Sequence, residues 1–149
     1  DLAIEGRGFF QVLQPNGNIA YTRNGEFQLG PDGQLVNANG YRLQPAFNIP
    51  QNALSVTLGI DGTVSVSQPG NPVPAQIGTI RIADFINPGG LQALGGNLLS
   101  ETAASGPPIV GAPDTLSFGS LILLGNCVGY RLKWHKTKNN NEYEEGKCT

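Results

Sequence analysis

Five Asn-Gly or Asp-Gly pairs fall within the first 62 residues: Asn16-Gly17, Asn24-Gly25, Asp32-Gly33, Asn39-Gly40 and Asp61-Gly62. The first four recur at intervals of 7 to 8 residues. Asn and Asp tolerate the left-handed region of backbone space, and Gly enters it without steric cost. Such pairs fit the type I′ hairpin turn, whose twist matches that of the strands it joins. A reversal every eight residues leaves room only for short antiparallel strands. The spacing predicts a mostly β chain, a hairpin-rich antiparallel domain.

Between the turns the sequence predicts strands over residues 9–13, 19–23, 26–29, 34–36 and 41–43. Further on, Leu54, Val56 and Leu58 alternate with Ser55 and Thr57, and Val64 and Val66 alternate with Ser65 and Ser67. Period two places one set of side chains inward and the other outward. The two runs flank Asp61-Gly62, so they are expected to pair as a hairpin. Residues 77–86 read as the longest strand, with Ile80 and Ile82 on one face beside Arg81. One short helix is expected. Asn87 can cap it, Pro88 suits its first turn, Leu91 and Leu94 lie three apart, and Gly95-Gly96 ends it. Gly106-Pro107-Pro108 then opens an extended stretch.

Composition divides the chain. Residues 1–125 contain no Lys, His, Trp or Cys, and all four types appear after residue 125. A boundary is therefore expected between Pro113 and Gly125. We divide the chain into a β domain over 1–113 and an atypical end over 114–149, read either as a polar, irregular tail or as foreign sequence. Asn139, Asn140 and Asn141, followed by Glu142, Glu144 and Glu145, read as a solvated segment. The chain holds no Met and opens on Asp1, as a processed, excised or partial sequence would. It carries no signal-like opening. Its longest apolar run, 121–124, is far short of the roughly 20 residues that span a bilayer, which fits a soluble chain.

Chemistry-bearing groups are sparse. A net charge of −2 gives no reason to expect nucleic acid or an anionic membrane as partner. Residues 1–125 hold eight carboxylates, Asp1, Glu5, Glu26, Asp32, Asp61, Asp84, Glu101 and Asp114, with no spacing that suggests a paired acid and base. Asp32 and Asp61 belong to turns. Nucleophilic catalysis of the Ser-His-Asp kind would need His135, which lies in the atypical end. Cys127 and Cys148, with that one His between them, do not make the four close ligands of a zinc site, and spacing alone does not decide whether they pair. Gly6-Arg7-Gly8 lacks the third Gly, the preceding strand and the following helix of a dinucleotide fingerprint. It reads instead as a tight turn feeding the strand that begins at Phe9. Residues 59–62 lack the repeated oxygens of a calcium loop. Arg7, Arg23, Arg42 and Arg81 are scattered and make no basic stripe. Catalytic, cofactor-binding and metal-binding residues are each read as none.

Residues 1–12, Asp-Leu-Ala-Ile-Glu-Gly-Arg-Gly-Phe-Phe-Gln-Val, resemble the segment that opens the central region of the rod and hook proteins of bacterial flagella. Residues 20–27, Ala-Tyr-Thr-Arg-Asn-Gly-Glu-Phe, match that family's YTR-(N/D)-G-x-F motif, and Gly33-Gln34-Leu35-Val36 with Gly40-Tyr41 continue it in register. Four further stretches resemble the distal-rod branch of the family. They are Leu43-Gln44-Pro45-Ala46 with Ile49-Pro50, residues 61–66, residues 85–91, and Gly95-Gly96-Asn97-Leu98 with Glu101-Thr102 and Ser105-Gly106.

The resemblance covers about residues 1–113. It implies a structural component of the basal body that carries torque from motor to hook, with no enzymatic activity and no cofactor. It implies copies of the same protein, hook and proximal-rod proteins and the surrounding rings as partners. It also implies a place in the periplasmic rod, reached by the flagellar export channel without a cleaved signal. Rods of this family polymerise mainly through terminal helices. None is read in this chain, so the chain alone is expected to be a monomer without nucleic-acid or membrane partners. A proximal-rod or hook sibling is the alternative within the family. A carbohydrate- or surface-binding β module is the alternative from another class, recognisable by a concave cleft lined with exposed Phe or Tyr rings. Phe9, Phe10, Tyr21 and Phe27 read as core aromatics.

Overall fold

The computed structural model describes residues 2–115, 118–123, 131–136 and 141–145. The chain is laid out in short strands: β1 (Leu2–Glu5), β2 (Phe9–Leu13), β3 (Ile19–Thr22), β4 (Gln28–Leu29), β5 (Leu35–Val36), β6 (Arg42–Gln44), β7 (Ser55–Leu58) and β8 (Thr63–Ser67). Beyond them lie β9 (Ala75–Thr79), β10 (Ile82–Asp84), a 3-10 turn (Pro88–Gly90), β11 (Gln92–Gly95), β12 (Leu98–Ser100), β13 (Ile109–Gly111), β14 (Ser120–Leu123), β15 (Arg131–Lys136) and β16 (Asn141–Glu145). Every pairing among them is antiparallel. The fold is thus the hairpin-rich antiparallel β class that the turn spacing predicts.

The strands form three sheets. A nine-stranded sheet runs β11-β12-β3-β2-β6-β5-β4, with β10 also paired to β2 and β13 to β10. A five-stranded sheet runs β16-β15-β7-β8-β9, and β1 and β14 pair with each other alone. The hairpin expected across Asp61-Gly62 is β7–β8, in register from Ser55↔Ser67 to Leu58↔Val64. Three strands, β14, β15 and β16, come from the segment after residue 113. Of these, β15 lies against β7, and β16 faces β15 with Lys133↔Glu144, Trp134↔Tyr143 and His135↔Glu142 in register.

The turns differ from the expected type. In the Asp61-Gly62 hairpin the Gly62 amide donates to the Gly59 carbonyl at 3.1 Å and the Gly59 amide to the Thr63 carbonyl at 2.8 Å. Gly62 alone takes a positive φ, +87°, while Asp61 stays right-handed. This is a type I turn followed by one left-handed Gly, not a type I′ pair. The same two bonds recur at Gln14–Asn18, Gly30–Gln34 and Asn37–Tyr41. The physical reason is visible at Pro15 and Pro31. Each occupies the first central position of its turn, where the ring fixes φ near −65° and forbids the positive value that type I′ needs. The Asn or Asp then acts through its side chain: Asn16 Oδ1 accepts from the Asn18 amide and Asp61 Oδ1 from the Thr63 amide.

Asn24-Gly25 is not a hairpin turn. Gly25 lies flat against β1, where the Leu2 amide donates to the Gly25 carbonyl at 2.9 Å and a Cβ would overlap the Leu2 carbonyl.

Two further expectations are corrected. Residues 77–86 are not one strand: β9 ends at Thr79 in the five-stranded sheet, and β10 begins at Ile82 in the nine-stranded one. The chain changes sheets at Ile80, whose amide donates to the Gly62 carbonyl at 2.7 Å. Ile80 and Ile82 are both buried and Arg81 is exposed, so the one-face reading of the two isoleucines holds while the strand is broken. The two-turn helix is a single 3-10 turn. Nucleating a helix fixes several residues for one hydrogen bond, and two Gly pairs flank too short an apolar stretch to repay it. Leu94 instead sits exposed on β11, which pairs with β12 through the turn at Gly96-Asn97. Asn87 makes no side-chain cap, and its Nδ2 donates to the Ala104 carbonyl at 3.0 Å.

The principal core lies between the sheets and includes Phe10, Leu43, Val56, Val64, Ile80 and Leu121, all nearly or fully buried. Alternation along β2 sends Phe10 and Val12 to one face and Phe9 to the other. On that second face the Phe85 ring meets Phe9 and Tyr21 edge-on, with centroids 5.9 and 4.8 Å apart. Phe10 meets Phe27 edge-on at 5.3 Å. Offset and edge-on contacts of this kind are the favoured geometry for aromatic pairs. Of the four aromatics read as core residues, Phe10 and Tyr21 are buried, and Phe9 and Phe27 are half-buried and pack against the core.

Candidate functional site

The motif segments come together as fastenings. The first is built on Arg23, the residue after β3. Its Nη1 donates to the carbonyls of Gly6 at 2.8 Å and Gly8 at 2.6 Å, and its Nη2 to the carbonyl of Ile4 at 2.9 Å. The planar guanidinium thus holds three alternate carbonyls across the corner between β1 and β2. Gly6 and Gly8 turn that corner at φ of +107° and +134°, values that side-chain-bearing residues avoid. The reading of this segment as a tight turn into β2 is therefore correct, but the preceding strand that the sequence reading finds lacking is present as β1.

Between the two glycines Arg7 reaches the opposite way. Its Nε lies 3.1 Å from Asp84 Oδ2, and its Nη2 donates to the Phe85 carbonyl at 3.1 Å. The Arg7 carbonyl accepts from the Gly119 amide at 2.7 Å, which ties in the approach to β14. Arg7 and Arg23, scattered in sequence, converge on one corner. Nothing in their spacing signals this, because the three acceptors are backbone carbonyls.

The second fastening joins residues 85–91 to 101–106. Thr102 Oγ1 donates to the Gly90 carbonyl at 2.5 Å and accepts from the amides of Ala104 and Ser105, each at 3.2 Å. Ser105, fully buried, accepts from the Thr102 amide at 2.9 Å and donates to the Thr102 carbonyl at 2.9 Å. Hydroxyls bonded to nearby backbone hold loops where strand ladders cannot.

Titratable groups show little sign of tuning for chemistry. The Tyr21 phenol is raised above its ordinary 10.0 by burial and, second, by the charge of Glu101. The Asp61 carboxyl is lowered below 3.8, chiefly by hydrogen bonding from the Thr63 side chain and then from its backbone. Both belong to structural contacts. Among the described residues no group of three or more His, Cys, Asp or Glu could hold a metal ion, and no helix is long and apolar enough to cross a membrane. His135 is on β15 opposite Glu142. Cys127 and Cys148 lie outside the described residues.

An open hollow of about 570 Å³ is lined by Arg23, Asn24, Ala93, Gly95, Asn97, Leu98 and Leu99. It presents no aromatic ring and no carboxylate, and its one cation is engaged with backbone carbonyls.

Residues 3–66 match the family model described as the flagellar hook protein FlgE/F/G D1 domain. Over 122 residues the chain is 47% identical to the flagellar basal-body rod protein FlgG of Caulobacter vibrioides, an overlap of 82% of this chain and 47% of that protein. The chain is thus similar over most of its length to a flagellar rod protein, and over residues 3–66 to the hook and rod D1 domain. FlgG of Buchnera aphidicola subsp. Schizaphis graminum is 50% identical over 121 residues, covering 81% of this chain and 46% of the relative. The flagellar basal-body rod protein FlgF of Escherichia coli is 31% identical over 137 residues, covering 86% and 53%. The chain spans about half the length of the curated relatives it matches. The arginine corner and the hydroxyl-tied loops are built from the segments that carry this resemblance.

Proposed function

We propose that this chain is the β-rich body of a distal-rod subunit of the bacterial flagellum, a structural part that passes torque from motor to hook. The observation that carries the reading is the gap in identity between relatives: 47% and 50% to two FlgG rod proteins against 31% to FlgF. The physical character of the body supports it. Many short antiparallel strands share load through cross-strand hydrogen bonds, and the loops between them are fastened by side chains to backbone. The motif residues are used in holding backbone, and none converges on a reactive centre among the described residues. The likeness to structural rod proteins supports reading the protein as having no enzymatic role.

In this proposal the family body includes residues 1–113, and β14, from the segment beyond, supplies the partner of β1. Its partners are copies of the full-length subunit, proximal-rod and hook proteins and the rings around the rod. Its place is the periplasmic rod, reached by flagellar export. The test is disruption of the coding sequence in its source cell, with electron microscopy of isolated basal bodies. The expected result is loss of motility, with rods truncated before the hook and restored by the intact gene. Full-length rods bearing hooks in the disrupted strain would refute the proposal.

A further inference from the structure

We propose that Arg23 is a latch that couples the β1–β14 ribbon to the nine-stranded sheet, so that force entering through the ribbon moves the body with it. The mechanical part of this inference rests on the torque-transmitting reading above. Among the described residues the ribbon pairs with no strand of the other sheets. An isolated two-stranded ribbon is at best marginally stable in water, so its rigidity has to come from links to what surrounds it.

Those links are of two kinds. Leu2, Ile4 and Leu121 bury their side chains in the principal core, which holds the ribbon in place but is non-directional. Among the described residues directional links are few: the Leu2 amide to the Gly25 carbonyl, the Leu121 amide to the Ile60 carbonyl, the Gly119 amide to the Arg7 carbonyl, the Ser120 hydroxyl to the Asp114 carboxylate, and the three bonds of Arg23.

Arg23 is placed where freedom is greatest. The connection from ribbon to sheet runs through Gly6 and Gly8, which carry no side chains to hinder rotation. Arg23 projects from the end of β3, inside the sheet, and binds carbonyls before, within and at the end of that connection. One rigid fork therefore spans the pivot. Three of its five N–H donors are committed to these carbonyls.

The test is hydrogen–deuterium exchange by mass spectrometry on the purified chain, comparing Arg23→Met, Arg23→Lys and, as a control, Arg42→Met. Arg42 bonds Asp32 on the exposed surface. Loss of three charge-assisted bonds should accelerate exchange in peptides over residues 2–5 and 120–123 by about tenfold or more, with β7–β8 unchanged. Arg23→Lys keeps the charge without the planar fork and should give an intermediate effect. The control should match the parent. Unchanged exchange in the ribbon, or the same acceleration in every sheet, would overturn the latch. If basal bodies proved complete without this protein, the mechanical assignment would fall, whatever the exchange pattern, so the two failures are separable.

Discussion

Gly17 and Gly62 occupy the same position of the same kind of turn, at φ of +85° and +87°, yet they should respond very differently to alanine. Around Gly17 an added Cβ meets nothing within 4 Å. Its cost is then conformational alone. A non-Gly residue in the left-handed region loses about 1–2 kcal/mol, and the stiffer unfolded chain returns about 0.4–1 kcal/mol. The net for Gly17→Ala is about 1 kcal/mol. At Gly62 the same Cβ would collide with the carbonyl of Ile80, a backbone atom that cannot swing aside. Relief requires moving Ile80, whose amide donates to the Gly62 carbonyl at 2.7 Å where the chain changes sheets. Losing that bond adds about 0.5–1.5 kcal/mol, and disturbing a buried Ile in the core adds about 1–3 kcal/mol more. Gly62→Ala should therefore cost about 3 kcal/mol or more. Urea denaturation monitored by far-ultraviolet circular dichroism reads both. With a slope of about 1.5 kcal/mol/M, the midpoint should fall by roughly 0.7 M for Gly17→Ala and by roughly 2 M for Gly62→Ala. Equal shifts would show that the approach of Gly62 to the sheet crossing is not real.

The core, the loops and the titrating groups carry further expectations. Phe10→Ala should destabilise by about 3–5 kcal/mol, because the ring is fully buried among strands that cannot collapse onto the space; a smaller loss in thermal or chemical denaturation would count against the core assignment. Thr102→Val should cost about 1–3 kcal/mol by leaving the Ala104 and Ser105 amides without their acceptor, and exchange should rise first over residues 101–106. Tyr21 has a folded pKa above its ordinary 10.0, so its contribution to stability is complete below pH 10 and is lost as pH rises through the folded value. Stability of the parent should therefore fall more steeply above pH 10 than that of Tyr21→Phe. Thr63→Val should raise the Asp61 carboxyl toward its ordinary value, which a carboxyl titration by nuclear magnetic resonance would read.

The class of fold was legible because closely spaced reversals are a local property. The Leu54–Leu58 and Val64–Ser67 runs, alternating about a turn, were enough to predict β7–β8 in register. The kind of turn was also legible, at Pro15 and Pro31, whose fixed φ excludes type I′; the Asn-Gly pairs alone draw attention away from that signal. The sheet change at Ile80 was not legible, since residues on both sides are apolar and extended whichever sheet they join. Residues 87–94 carry helix-like punctuation, and only the availability of β12 as a partner makes β11 a strand. The arginine corner was hidden for a different reason. The acceptors of Arg23 are backbone carbonyls, which have no signature in a sequence, and the carboxylate partner of Arg7, Asp84, lies 77 residues away, so both arginines look solitary until the chain is folded.

The register of β1 against β14 sets Leu2 opposite Leu123, so the strands from β2 to β13 hang between two adjacent attachment points of the backbone, about 5 Å apart. A segment closed in that manner has its two ends held together by their own ladder, whatever lies between them. Loops within it can lengthen or be exchanged without altering the distance between the two attachment points, which leaves the geometry of the flanking chain independent of the size of what it carries.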